Sequence, residues 1–351
     1  DLSKKGFNRF FLKEVNDTEI FLKRTINNYL NFKKSIFTNM DDIINSTTIN
    51  DLKKKRIKNI IFTGMGSCYS AAVGISKYLS ERLSSIGFKD IKIEATIASE
   101  GSGFYLSDNM TDTIIVVIAQ SGTTIDTNIF AKMAKERGAY TLALVNKKQG
   151  DVTYIVDKSL YLGNGRDVEM SVPSTKTYTC HLIMGFILSE KIIGILKKKI
   201  NLNFLKTAKE LVNSKFIENT LNDKKECIDK INIDVLKYKN WIVIYDDSKN
   251  SFSALELRIK LSECCYKSIP YFHINSFNKM SLKNSLIFYL GTNKPQLNKI
   301  DSTNHYVFIG KNITKKKNIT TISLKSDNLI KLAIESSLSI QLLSYKISEI
   351  I

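Results

Sequence analysis

Short runs of aliphatic and β-branched residues, each followed by a polar turn and then a helical pattern, recur along this chain and constrain its fold more than any other feature. The run Ile114–Ala119 (IIVVIA) has the length of a buried strand and is far too short to cross a bilayer. Strands are expected at Asn59–Thr63, Ile91–Ala95, Thr113–Ala119 and Tyr140–Val145, with helices at Tyr69–Leu83 and Asp126–Arg137. Such alternation calls for right-handed crossovers and a parallel sheet buried on both faces. A helical run over Thr175–Ile200 and a polar, lysine-rich bridge near Phe204–Lys230 follow, and then the rhythm returns. Trp241–Tyr245, Ser285–Leu290 and Tyr306–Ile309 read as strands, Ala254–Tyr266 and Asp327–Ile347 as helices. The opening stretch Val15–Phe37 has apolar residues at near-helical spacing (Ile20, Leu22, Ile26, Tyr29, Leu30). The fold class is α/β, expected as an N-terminal helical segment (1–50), a first α/β block (51–200) and a second (201–351).

Composition agrees with two blocks. A chain of 351 residues, 43% hydrophobic, can bury two cores of ordinary size, because single domains run to roughly 100–200 residues. There is no run of about 18 uncharged apolar residues, and the opening DLSKKGFNRF has no apolar core before a cleavage site. A soluble protein with no membrane partner is the expectation. The five cysteines (Cys68, Cys180, Cys227, Cys264, Cys265) are odd in number and form no CxxC pair, which points to reduced thiols and the cytoplasm. The three histidines (His181, His273, His305) are dispersed, so neither a metal nor another cofactor is expected. The formal charge of +18 is spread along the chain without an aromatic-interleaved basic stripe, and nucleic acid is not an expected partner.

Three turns carry chemistry. Gly64-Met65-Gly66-Ser67-Cys68-Tyr69-Ser70 follows the first strand; it lacks the Gly-Lys-Ser/Thr of a P-loop and the last glycine of a dinucleotide fingerprint. Gln120-Ser121-Gly122-Thr123-Thr124 follows the strand ending at Ala119, and Glu169-Met170-Ser171-Val172-Pro173-Ser174-Thr175-Lys176 precedes the next helical run. Hydroxyls at helix N-termini complete an anion cradle without fixed cations. Capping by Ser or Thr explains each turn singly, but not their repetition where α/β sheets bind ligands.

GMGSCYS, AQSGTTIDT and VEMSVPSTKTYT resemble the phosphosugar-binding segments of the sugar isomerase domain family, most closely the isomerase half of glucosamine-6-phosphate synthases; IASE at Ile97–Glu100 matches as well. The likeness runs from FNRFFLKEV through ALELRIKLSE (Ala254–Glu263) to QLLSYKIS. It implies two sugar isomerase subdomains, each a doubly wound parallel sheet flanked by helices, in a homodimer holding fructose 6-phosphate or glucosamine 6-phosphate. By position, Ser67, Ser121 and Thr124 would hold the phosphate with Gln120 nearby, Cys68 stands where a serine is usual, and Glu169, Val172 and Ser174 would line the sugar. Glu263 matches the family's catalytic base, with Lys260 one turn before it. On spacing alone that pair reads as solvated, worth only a few tenths of a kcal/mol.

The chain departs from the family at three points. Lys279 stands in place of the ring-opening histidine, Ala119 replaces the first serine of the second turn, and the chain stops at Ile351 before the family's lysine-bearing tail. The glutamine-hydrolysing half is also expected to be lacking. The resemblance therefore implies a hexose 6-phosphate isomerase or aminotransferase-type domain served by a separate glutaminase subunit or by free ammonia. The alternatives are a deglycase of 6-phosphorylated ketosamines, using the same carboxylate, and a non-catalytic phosphosugar-binding regulatory subunit.

Overall fold

The computed structural model describes residues 3–4, 6–246, 251–291, 301–311 and 318–351. Its main elements in chain order begin with helices α1 (Phe10–Asn16) and α2 (Thr18–Tyr29). Then come β1 (Asn59–Gly64), α3 (Ser67–Ser85), β2 (Lys92–Ile97), β3 (Thr113–Ala119), α4 (Ile125–Glu136), β4 (Tyr140–Val145), β5 (Lys158–Tyr161) and α5 (Lys176–Lys197). The second series is β6 (Asn240–Tyr245), α6 (Ser251–Cys265), β7 (Tyr271–His273), β8 (Ser285–Gly291), β9 (His305–Gly310), β10 (Ile319–Ser323) and α7 (Leu329–Ser348).

By contact the chain divides into two compact units. One comprises Asp17–Glu169 with Lys176–Lys215; the other comprises Asp1–Asn16, Met170–Thr175 and Phe216–Ile351. The division is discontinuous and cuts across boundaries drawn at 50 and 200. Each unit holds one five-stranded sheet whose strand pairs are all parallel, ordered β2-β1-β3-β4-β5 in the first and β10-β9-β8-β6-β7 in the second. Numbered within its own sheet, each follows the same doubly wound order, 2-1-3-4-5. All residues of the central strands β3 and β8 are buried, as a sheet covered on both faces requires.

In the first unit α5 packs on α2 and α3. Its charges are handled locally: Glu190, fully buried, accepts from the Tyr78 hydroxyl at 2.8 Å and pairs with Arg82 at 2.6 Å. By length and composition α5 is apolar enough to cross a membrane, yet 78% of that stretch is buried within the protein.

Several expectations change in detail. The Val15–Phe37 stretch is two helices breaking near Asp17, followed by a hairpin pairing Leu30–Asn31 with Ile36–Phe37. The lysine-rich bridge is two helices, Leu202–Asn213 and Phe216–Asp229, anchored by buried Phe204, Leu205, Leu211, Ile217 and Leu221. β5, β7 and β10 join the expected strands as short outer members of their sheets.

Candidate functional site

β1 and β3 are neighbours, and their register, Thr63 opposite Val117, brings Gly64 and Ala119 out at one edge of the sheet. The chain crosses from β1 to β2 on one side while β3 lies on the other, so the gap between the carboxyl ends of β1 and β3 is the topological switch point. Helix α3 starts there at Ser67 and α4 at Ile125, so two helix N-termini, each a positive dipole end, begin at the same crevice.

Packing dictates the glycines. A Cβ on Gly64 would lie 2.9 Å from the Cys68 carbonyl carbon and 3.0 Å from the Ile118 carbonyl oxygen. Gly122 has φ +74°, and a Cβ there would come within 2.8 Å of Gly150 Cα. Between them sit the expected ligand groups. Ser67 is buried at the first position of α3, while Cys68 and Gln120 are half-buried. Ser121 Oγ lies 2.8 Å from Thr123 Oγ1 and accepts the Thr123 N–H at 3.2 Å, which pins the turn from within. Thr124 occupies the N-cap position of α4, yet its exposed side chain makes no capping hydrogen bond, so capping does not account for this hydroxyl.

Glu169 accepts from the start of the helix that follows it. Oε1 accepts the Thr177 N–H at 2.9 Å and Oε2 the Thr177 hydroxyl at 2.5 Å, so this carboxylate covers the N-terminus of α5. On α5, His181 Nε2 lies 3.3 Å from the Ala119 carbonyl, and burial pushes its pKa down to about 4, leaving a neutral imidazole beneath the turn. Beside β2 runs a cavity of about 420 Å³ lined by Tyr69, Glu94, Thr96, Glu100 and Phe130; no serine or threonine of the three turns lines it.

In the second unit, α6 presents Glu256, Lys260 and Glu263 at i, i+4 and i+7 on one face. Lys260 is fully buried; its Nζ donates to Glu263 Oε2 at 2.5 Å and lies 3.6 Å from Glu256 Oε1. Glu256 is fully buried too, whereas the Glu263 side chain is 36% exposed. Burial works against the Lys260 ammonium, but the carboxylates of Glu256 and Glu263 outweigh it and hold the pKa above the ordinary lysine value. The pair read from spacing as solvated is thus a buried cation between two acids, only one of which reaches the surface. Burial pushes the adjacent Cys264 thiol up to about 11, which leaves it protonated near neutrality.

Val172 is 92% exposed and Ser174 half-buried on the Met170–Thr175 loop, which belongs to this same unit. Lys279 is exposed in the turn after the helical segment Ile274–Phe277. His273 caps that segment, Nδ1 accepting the Asn275 N–H at 3.3 Å, with its ring edge-on to Tyr245. Among the described residues, no group of three or more His, Cys, Asp or Glu is placed to hold a metal ion.

No family model matches the sequence. The chain is 27% identical over 349 residues to a glutamine–fructose-6-phosphate aminotransferase (isomerizing) of Aquifex aeolicus, across 96% of this chain and 51% of that protein. It is 31% identical over 268 residues to the enzyme of that name from Pyrococcus horikoshii, across 75% of this chain and 40% of the relative. The chain thus spans about half the length of the curated relatives it matches. Among solved structures, the C-terminal domain of glucosamine-fructose-6-phosphate aminotransferase from Francisella tularensis superposes with a TM-score of 0.78 at 20% identity, covering 99% of this chain and 98% of that one. The chain has the fold of the sugar isomerase domains. The tagatose-6-phosphate ketose/aldose isomerase of Escherichia coli shares that fold, with a TM-score of 0.67 at 14% identity over 97% of this chain and 93% of the other.

Within this sugar isomerase fold, Glu256 is the charged residue that sequence reading passes over. Its signal is the acid–lysine–acid spacing on a helix that also buries Ala254, Leu257 and Leu261. Three charges on the face of a helix that must pack against a sheet cannot all be solvated.

Proposed function

We propose that this chain binds a hexose 6-phosphate at the switch point of its first sheet and moves the sugar carbonyl between C1 and C2 with Glu263 as base. The likeness to glutamine–fructose-6-phosphate aminotransferases makes fructose 6-phosphate and glucosamine 6-phosphate the substrates of choice. Ser67, Ser121 and Thr124, with Gln120 and Cys68 beside them, hold the phosphate on two helix N-termini. Val172, Ser174 and Glu169 border the sugar.

Glu263 takes a proton from C1 of the ketose or its imine. The released electron pair forms the C1–C2 double bond while the C2=O or C2=N pair moves onto its oxygen or nitrogen, which takes up a proton from solvent, giving an enediol or enolamine. Returning the proton to C2 as the O1 hydroxyl releases its own proton and becomes the carbonyl gives the aldose. Lys260 orients Glu263 through the hydrogen bond from its Nζ. Lys279 takes the place of the ring-opening histidine and donates to the ring oxygen. The amine comes from free ammonia or a separate glutaminase subunit. The working form is a homodimer in the cytoplasm, a compartment that suits five free cysteines.

The observation that carries this reading is the buried Lys260, whose hydrogen bond presents one carboxylate at the surface of an otherwise packed helix. The test is conversion of fructose 6-phosphate by the full chain, with and without ammonia, beside Glu263→Gln. Turnover should fall by about 10²–10⁴-fold in the variant while binding persists. Wild-type inactivity identical to that of Glu263→Gln sinks the proposal. Saturable thermal stabilisation by the sugar phosphate without turnover would instead establish a non-catalytic phosphosugar-binding subunit, a reading that the lysine at position 279 favours. Amine release from phosphorylated ketosamines would establish a deglycase.

A further inference from the structure

The loop Met170–Thr175 has no regular structure of its own, yet it carries the two side chains, Val172 and Ser174, placed against the sugar by the reading above. What holds it is a carboxylate from the N-terminal helix. Glu14, 1% exposed on α1, accepts from the backbone N–H of Met170 and, at 3.3 Å, from that of Ser171. It also accepts from the Ser171 hydroxyl and, at 3.3 Å, from the Thr175 hydroxyl. Four donors from a six-residue segment thus converge on one buried acid.

Gln341 of α7 adds a second tether, its Nε2 donating to the Thr175 carbonyl at 2.9 Å. The same helix α7 supports both ends of the arrangement. Phe11 of α1 stacks on Tyr345 with ring centroids 6.1 Å apart, and Ser336 Oγ lies 3.0 Å from Ser253 Oγ on α6, the helix of Glu263. Loop, acid and base helix therefore belong to one packed body.

We propose that Glu14 is a positioning residue: it sets the Met170–Thr175 loop at a fixed height over α7 and thereby places Val172 and Ser174 relative to Glu263, so that it governs recognition of the sugar and not of the phosphate. The proposal rests on the phosphosugar reading. Phosphate is assigned to turns of the other unit. A carboxylate is suited to the task because the four loop groups that converge on it are all donors; an amide there would present its own N–H₂ to one of them. A buried donor left without an acceptor is costly, and the loop would shift to avoid it.

The test compares wild type, Glu14→Gln and Glu14→Asp by calorimetric titration with fructose 6-phosphate and, separately, with inorganic phosphate, alongside thermal midpoints and steady-state kinetics. Glu14→Gln is expected to weaken fructose 6-phosphate about tenfold, to raise KM more than it lowers kcat, and to leave inorganic phosphate unchanged. Glu14→Asp should recover part of the loss. Should Glu14→Gln not fold, Ser171→Ala with Thr175→Val removes two of the donors and is held to the same pattern. Equal loss of both ligands, or no change in either, overturns the proposal. Wild type that binds neither ligand overturns the phosphosugar reading itself, and this proposal with it.

Discussion

Lys260→Met keeps most of the side-chain volume on α6 and deletes the charge that Glu256 faces at 3.6 Å. Glu256 is fully buried, so in the variant its carboxylate has lost its buried counter-ion. Such an acid escapes by keeping a proton, which caps the penalty at the cost of protonation. At about 1.36 kcal/mol per pH unit above about 4.3, that is about 3.7 kcal/mol at pH 7 and about 1 kcal/mol at pH 5. Breaking a buried ion pair from one side costs about 3–5 kcal/mol in general, the same range. The sign follows from linkage: the variant's folded state holds the Glu256 proton more tightly than the unfolded chain does. Its stability is therefore fully present below the unfolded pKa and lost as pH rises, so variant and wild type converge on acidification. Equilibrium urea unfolding at pH 5, 6 and 7 measures the gap, and adding Glu256→Gln to Lys260→Met should restore most of it. A gap under about 1 kcal/mol at pH 7, the value of an exposed pair, and unchanged at pH 5, would refute the buried cluster.

Ser121→Ala combined with Thr124→Val should weaken fructose 6-phosphate about 10- to 100-fold, as expected for losing hydrogen bonds to a charged group. Ser121 Oγ also holds its own turn through Thr123, so the thermal midpoint of the unliganded protein should fall only slightly; unchanged calorimetric affinity would remove these hydroxyls from the cradle. His181, its pKa depressed to about 4, should show no imidazole titration by NMR between pH 5 and 8. Because the folded value lies below the unfolded one, its contribution is complete above pH 6.5 and fades as pH falls toward 4, removing about 3 kcal/mol in all. Acid unfolding that is unaltered in His181→Gln would contradict this.

The central strands and the helices between them were legible because strands buried on both faces are written as unbroken aliphatic runs, as in Thr113–Ala119. The outer strands were not: Lys158–Tyr161, Tyr271–His273 and Ile319–Ser323 are short, mixed in polarity and shaped by the neighbour they pair with. The two turns at the switch point could be read, since glycine and hydroxyl requirements are local. The acid cluster on α6 could not be read fully, because Lys260 and Glu263 have the spacing of an ordinary surface pair and only the packing of α6 on α7 and the second sheet buries them. Glu14 was illegible for a related reason. Its four donors lie far along the chain, and nothing in FNRFFLKEV announces that the glutamate points inward.

The discontinuity of the second unit also sets an order of assembly. Asp17–Glu169 and Lys176–Lys215, the whole of the first unit, are made before Phe216, so that unit can condense while synthesis continues. Helix α1 is made before all of it, yet Glu14 must wait for Met170–Thr175 and Phe11 for Tyr345 of α7. Until α7 is made, the helix of Glu263 has the second sheet to pack on but not its helical neighbour. A chain interrupted short of α7 would carry a complete first unit beside an unfinished second one.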